Sequence, residues 1–408
     1  MGSQRCIHVI GMSPDGALSD AARAMIDNAE VIIGPPRHQF SASNMHALNL
    51  DYPSPLRELQ NMLDAHKDKR VVILASGDPL LFGIGDWLGR TVGRQHLTFH
   101  PATSSVQTAF ARIGQPWQHA KVVTLHGRPL DSLRSQLVAN QWYALLTDKH
   151  SQPRAIAELL HDVGMNDAQL WIAEALGLAE EKISHFTTHE LLHGEHQFHP
   201  LHVTLLKTES ASHFLPQFPG IDDAAFDTGE SGSRGMISKK AVRLNILALL
   251  SPGNGDIGWD VGAGCGGVAI EWARWNPQGQ LYAIEKSPQR FGHLQTNQLK
   301  FGVTQNLHCI LGSAPDVLDE LDDPDVIFVG GNDGQSSELL NYCWSRLKSG
   351  GRLVASGVTE QTRAALIQFA DAKQFELLEI AVAKSEPLGK QLLLRPQLPV
   401  LLMKVIKP

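Results

Sequence analysis

The stretch Gly258–Gly267, GWDVGAGCGG, decides the fold of the second half of the chain. An apolar run enters a cluster of glycines, and an apolar helical pattern leaves it. That order predicts a buried strand, a tight turn and a helix whose first N–H groups stay open to a ligand. Two spacings coexist in the turn. Gly262, Gly264 and Gly267 fit G-x-G-x-x-G, the dinucleotide fingerprint. Gly262, Gly264 and Gly266 fit G-x-G-x-G, the loop of S-adenosylmethionine enzymes.

Both loops need glycine because the backbone must turn sharply and approach a ligand closely. Both place an acid at the end of the next strand to bond ribose hydroxyls, and Glu285 in QLYAIE stands there. Asp260 separates them. A carboxylate just before the first glycine can meet the ammonium of a methionine moiety, whereas beside a pyrophosphate it is repulsive. A helical pattern, SKKAVRLNILALL from Ser238, precedes this strand, whereas dinucleotide domains usually begin with it. Ser238 is the expected N-cap. The methyl-donor reading is favoured; a nicotinamide-dependent dehydrogenase remains the enzymatic alternative. A sensor that binds the donor or its partner substrate without catalysis is the non-enzymatic one.

Further along come strand patterns at LHCILG, DVIFVGG and GRLVASG, with LLEIAVAK and QLLLRPQLPVLLMKV expected as a closing pair. Working backward, residues 209–235 are rich in Ser, Gly, Pro and Asp and lack periodicity. We take 209–219 as a linker between domains at 1–208 and 220–408. The first domain also alternates strands and helices. IHVIG, VIIG, VVILAS, VVTLHG, YALLTD, LWIAEAL and LHVTLLK are near-continuous apolar runs, which suit buried parallel strands. The fold class is therefore α/β in both halves. The halves share no motif, so the chain is a fusion rather than a duplication.

Composition narrows the function. With 408 residues, two or three domains are expected. A net charge of −7 argues against nucleic acid as partner. The four cysteines form no C-x-x-C pair, which suits a reduced, cytoplasmic protein. No apolar run approaches the length of a membrane span, and no leader pattern precedes the first strand, so no membrane partner is expected.

HELLH, His189–His193, matches the zinc-protease signature. Gly194 should end that helix immediately, and the chain then enters LHVTLLK. A chain with 19 histidines meets such a pentapeptide by chance. No metal site is expected.

Three segments of the first half carry a second signal. SGDPLLFGIG (76–85) is a strand-end turn that exposes backbone. PATSSVQTAFARIG (101–114) sets hydroxyls at a helix start, and LHGR (125–128) follows a strand. With IHVIGMSPDG and VIIGPPRH, these resemble the tetrapyrrole (corrin/porphyrin) methyltransferase family, over roughly residues 5–207. The second half, through FPGIDDAAF, GMISKKAVR, WDVGAGCGGVAIE, AIE, GSAPDVL and DVIFVGG, resembles the decarboxylating methyltransferases of the same pathway. The resemblance implies a two-lobed tetrapyrrole methylase fold followed by a Rossmann-like methyltransferase fold. It implies methylation of C5 and C15 of precorrin-6B or its cobalt form, loss of CO2 from the C12 acetate, and precorrin-8 as product, within cobalamin biosynthesis.

It also implies S-adenosylmethionine at two sites, one per domain, and a homo-oligomer. The cofactor residues so implied are Gly11, Gly77, Asp78, Pro79, Ser104 and Ser105 in the first domain. In the second they are Asp260, Gly262, Gly264, Gly266, Glu285, Ser313 and Ala314. Lys239 and Arg243 on the entry helix, and His126 and Arg128 in LHGR, are the candidate substrate-positioning residues. The sequence departs from the family at Ser238 and Cys265, where Thr is usual, and at Asn332-Asp333, where small residues are commoner.

Overall fold

The computed structural model describes residues 6–42, 44–229, 237–330, 336–371 and 373–408. The chain forms two compact units, residues up to 128 with 140–210, and 129–139 with 211–408.

The first unit holds two sheets. Strands β1 (Ile7–Met12), β2 (Val31–Ile33), β3 (Leu48–Leu50), β4 (Val71–Ser76) and β5 (Leu97–His100) make one in the order β3-β2-β4-β1-β5. All its pairs are parallel. Strands β6 (Lys121–Thr124), β7 (Trp142–Leu146), β8 (Gln169–Glu174), β9 (Lys182–Thr187) and β10 (His202–Lys207) make the other, ordered β6-β7-β10-β8-β9. Only β6 and β7 pair in parallel there. The expectation of parallel strands thus fails for LWIAEAL and LHVTLLK, and holds for YALLTD on its β6 side alone. A continuous apolar run reports burial on both faces, which an antiparallel strand under helices also has. Strands β3, β5 and β9 were not expected; their mixed and partly exposed faces give no clean period.

The second unit centres on a seven-stranded sheet. It contains β11 (Ile257–Val261), β12 (Gln280–Glu285), β13 (Leu307–Leu311), β14 (Val326–Val329), β15 (Arg352–Gly357), β16 (Gln374–Ile380) and β19 (Val400–Ile406). The order is β13-β12-β11-β14-β15-β19-β16, parallel up to β15 and antiparallel beyond. Trp259, Ile327, Leu353 and Met403 form its core. The expected closing pair is four strands. Between β16 and β19 rises a hairpin of β17 (Ala383–Leu388) and β18 (Gln391–Pro396), exposed throughout. Pro396 and Pro399 break QLLLRPQLPVLLMKV, because proline cannot donate to a ladder.

The segment 129–139, an excursion from the first half of the sequence, packs within the second unit. Arg274 Nη1 donates to the Arg134 carbonyl at 3.2 Å. Gly302, at φ +69°, leaves room for this backbone; a Cβ there would lie 2.5 Å from the Asp131 carbonyl.

The entry helix spans Lys240–Leu250, and its N-cap is Lys239 rather than Ser238. Asp223 does the capping from a distance, accepting the Lys240 N–H at 2.9 Å. Arg243 on this helix is fully buried. Its Nε donates to Glu271 at 2.6 Å and its Nη1 to Asp223 at 3.0 Å. It also donates to the carbonyls of Ser238 and Ile221. This places Arg243 away from the substrate position expected of it: buried, it ties Ile221, Asp223 and Ser238 to Glu271 on the helix Gly267–Trp275. No helix among the described residues is long and apolar enough to cross a membrane.

Candidate functional site

In the second unit the site grows from the end of β11. Its neighbours are β12 on one side and β14 on the other, so the strand order reverses there and opens a crevice at the carboxyl ends. Gly262, Gly264 and Gly266 adopt φ of +80°, +60° and +88°. The left-handed positions thus follow the G-x-G-x-G spacing, and only glycine takes three of them cheaply. The Gly262 and Ala263 N–H groups both donate to the Ile284 carbonyl at 2.9 Å, which closes the turn on β12.

Glu285, at the end of β12, is buried. One carboxylate oxygen accepts the Gly264 N–H at 2.8 Å and the other the Ser287 N–H at 2.8 Å. Asp260 is buried more deeply, and neither of its oxygens has a hydrogen-bond partner. Burial lifts its pKa to about 7, and the Glu285 charge adds to the rise; the Ala269 N–H opposes it without reaching hydrogen-bonding geometry. An orphaned buried acid is costly unless something cationic answers it.

Two cavities meet at the loop, sharing Gly262 and Arg290. One, about 580 Å³, is lined by Glu285, Ser313 and Ala314. The other, about 590 Å³, is lined by Asp260, Gly264, Ser238 and Lys239, with Thr359 and the apolar Val400 on its far wall. Gly266 lines neither; it starts the helix, where a Cβ would strike Leu294. Sequence reasoning missed Arg290. A basic residue in the first turn after a Ser-Pro helix start, facing the glycine loop, was the available signal. Cys265 is buried, its thiol pKa raised chiefly by burial, and it lines neither cavity. Asn332 and Asp333 lie outside the described residues.

In the first unit Gly11 and Gly77 cross at the ends of β1 and β4. A Cβ on Gly11 would come within 1.9 Å of the Gly77 carbonyl, and one on Gly77 (φ +61°) within 2.9 Å of Ser104 Cα. Ser104 is buried as the N-cap of helix Ser105–Arg112, in a capping box with Gln107. Gly11 lines a cavity of about 740 Å³, and Gly77 and Ser105 line one of about 300 Å³. Asp78 and Pro79 line neither. Asp78 accepts the Leu80 N–H at 2.8 Å, and the Pro79 carbonyl accepts the Gly85 N–H at 2.9 Å, so they build the turn that presents Gly77. His126 and Arg128 are exposed on the turn after β6 and line neither cavity, contrary to the expectation that they face a pocket. A strand-end position alone does not determine which way a two-residue turn points.

HELLH forms the helix Thr188–His193, and Gly194 is its C-cap. Glu190 is held in a capping box, accepting the Thr187 N–H at 2.7 Å.

Two family models match the chain. The description "Tetrapyrrole (Corrin/Porphyrin) Methylases" covers residues 7–192, and "Precorrin methyltransferase domain" covers 231–407. A precorrin-6Y C(5,15)-methyltransferase [decarboxylating] of Sinorhizobium sp. is 35% identical over 397 residues, 96% of this chain and 94% of the relative. The protein of the same name in Mycobacterium tuberculosis is 33% identical, over 98% of this chain and the whole relative. A cobalt-precorrin-7 C(5)-methyltransferase of Salmonella typhimurium is 33% identical over 179 residues, 43% of this chain and 87% of the relative.

Proposed function

The chain belongs to the family of precorrin-6Y C5,15-methyltransferases (decarboxylating), and from that premise we propose how its two units divide the work. The enzyme methylates a precorrin at C5 and C15 and decarboxylates it, within cobalamin biosynthesis. S-adenosylmethionine is the donor and supplies a methyl group activated on a sulfonium. The dehydrogenase and sensor readings are set aside, because the family is one of methyl-transferring decarboxylases.

The second unit is the C15-methylating, decarboxylating one in this proposal, and the observation that carries it is Asp260. Its buried, unpartnered carboxylate beside the glycine loop suits the donor's ammonium, which would answer the orphaned charge. Glu285, Ser313 and Ala314 take the ribose and base end. Lys239 and Arg290 bring positive charge to the other cavity, where an acidic tetrapyrrole would lie. The apolar wall of Val242, Phe328, Ile380 and Val400 faces the acetate, whose carboxylate leaves as CO2 while the released electron pair passes into the conjugated ring and the remaining CH2 takes up a proton to become a methyl group. No nucleophile is needed. The residues align an electron-rich ring carbon with the donor, and such positioning is worth about 7 to 11 kcal/mol.

The first unit is the C5-methylating one, with a second donor site at Gly77 and Ser105. We retain the homo-oligomer as an expectation that light scattering tests. The division is tested by equilibrium dialysis of S-adenosylmethionine, with NAD as control. Two sites per chain, one of them lost in Asp260→Ala, support it. A single site in the wild type overturns the two-site reading, and NAD binding without donor binding overturns the donor reading.

A further inference from the structure

The 300 Å³ cavity of the first unit contains a charge that lies outside the donor residues named above. Arg37 and His38 enter it from the helix Pro36–Ser41, which follows β2. Arg37 Nη2 donates to Ser76 Oγ at 2.9 Å, and His38 Nε2 lies 2.8 Å from the same oxygen. Arg37 keeps contact with water at the rim, yet its surroundings strip enough solvent to lower its pKa. Among the described residues no carboxylate lies within ion-pair distance of it. Arg112 and Arg134, by contrast, hold Glu181 and Asp131.

Burial, and then the Arg37 charge, push His38 down to about 4. Burial likewise lowers His202 on the opposite wall, where its Nε2 lies 3.0 Å from Thr147 Oγ1. Both imidazoles are thus shifted toward their neutral form, and Arg37 is the main cation of the group. Leu146, Leu176, Leu178 and Leu201 give the cleft an apolar stretch, beside the hydroxyls of Ser13, Ser105 and Thr147. A guanidinium held by Ser76, with no counter-ion among the described residues and leucines beside it, matches a carboxylate carried on a flat apolar ring.

We propose that Arg37, braced by Ser76, binds a carboxylate side chain of the tetrapyrrole and so sets which edge of the macrocycle faces the donor in the first unit. The inference deepens the reading of that unit as the C5 site and rests on it. The donor also carries a carboxylate, so the test must separate the two.

The test uses the full chain with Arg37→Gln and Arg37→Lys. C5 and C15 methylation are followed separately by mass and NMR of the product, and S-adenosylhomocysteine binding by calorimetry. The expected result for Arg37→Gln is a rise of about tenfold or more in KM for the tetrapyrrole in the C5 step, equivalent to one lost charged contact. The C15 step and both affinities for S-adenosylhomocysteine stay as in the wild type, which also shows that both units are folded. Arg37→Lys recovers part of the loss. An unchanged KM overturns the proposal, and so does weakened S-adenosylhomocysteine binding with KM intact, which would give Arg37 to the donor. A wild-type chain that does not methylate C5 would instead defeat the reading of the first unit.

Discussion

The Glu285 carboxylate accepts the Gly264 N–H at 2.8 Å, so the acid that should meet a ribose also clamps the glycine loop from the neighbouring strand. The loop is held in its binding shape before a ligand arrives. Preorganisation of this kind lowers the ordering cost of binding. It also leaves Asp260, behind the same loop, as the unanswered charge.

Asp260 should make the stability of the ligand-free second unit fall with pH. Its folded pKa, about 7, lies above the ordinary value of 3.8. A raised folded pKa means that stability is fully present below the ordinary value and is lost as pH rises through the folded one. The window is therefore about pH 4 to 7. Asp260→Asn should melt closer to the wild type at pH 5 and above it at pH 8, by roughly 3 °C or more. Donor binding should weaken in the same variant. Melting curves that keep one offset across this range would refute the account.

Arg243→Met tests a burial argument. The substitution leaves Glu271 buried without its partner, a loss of about 3 to 5 kcal/mol. Denaturant unfolding should show the second unit destabilised by that order while the first is unaffected. Below the new transition, KM for the tetrapyrrole should hold. A raised KM with normal stability would return Arg243 to the substrate.

Gly77→Ala should disable the first unit selectively. The new Cβ would sit 2.9 Å from Ser104 Cα at a φ of +61°, in the wall of the cleft. C5 methylation should fall by tenfold or more, about 1.4 kcal/mol in barrier, with C15 methylation intact. Equal loss of both products would mean that the turn serves the whole chain rather than one site.

Chelation should leave both methyl transfers unchanged. Glu190 is committed to its capping box, and the His189 and His193 rings stack at 4.2 Å between centroids on a helix that stops at His193. A stoichiometric zinc whose removal abolishes either activity would restore the metal reading of HELLH.

Much of this was legible in the chain because the signals were local. The glycine spacing at 262–266, the acids at 260 and 285 and the Ser104 cap each act within one turn of backbone. Arg243 was not legible. A basic residue one turn into an amphipathic helix looks the same whether it faces water or two acids, and Asp223 and Glu271 lie 20 and 28 residues away. Arg37 was quoted within a motif, yet its distance from every carboxylate among the described residues is a fact about surrounding side chains. The hairpin at 383–396 was hidden for a different reason. Its leucines carry the apolar pattern of buried strands, although they are exposed.

By itself, then, the sequence determined the α/β class of both halves, the glycine loop with its two acids and the family. These rest on steric rules and motif order, which act along the backbone. Only the tertiary structure decided strand direction in the β6–β10 sheet, the placing of residues 129–139 in the second unit, the burial of Arg243 and the exposure of His126 and Arg128. Each depends on which distant groups share one dry volume, and a charge in that volume is paired or orphaned by neighbours that sequence distance does not name.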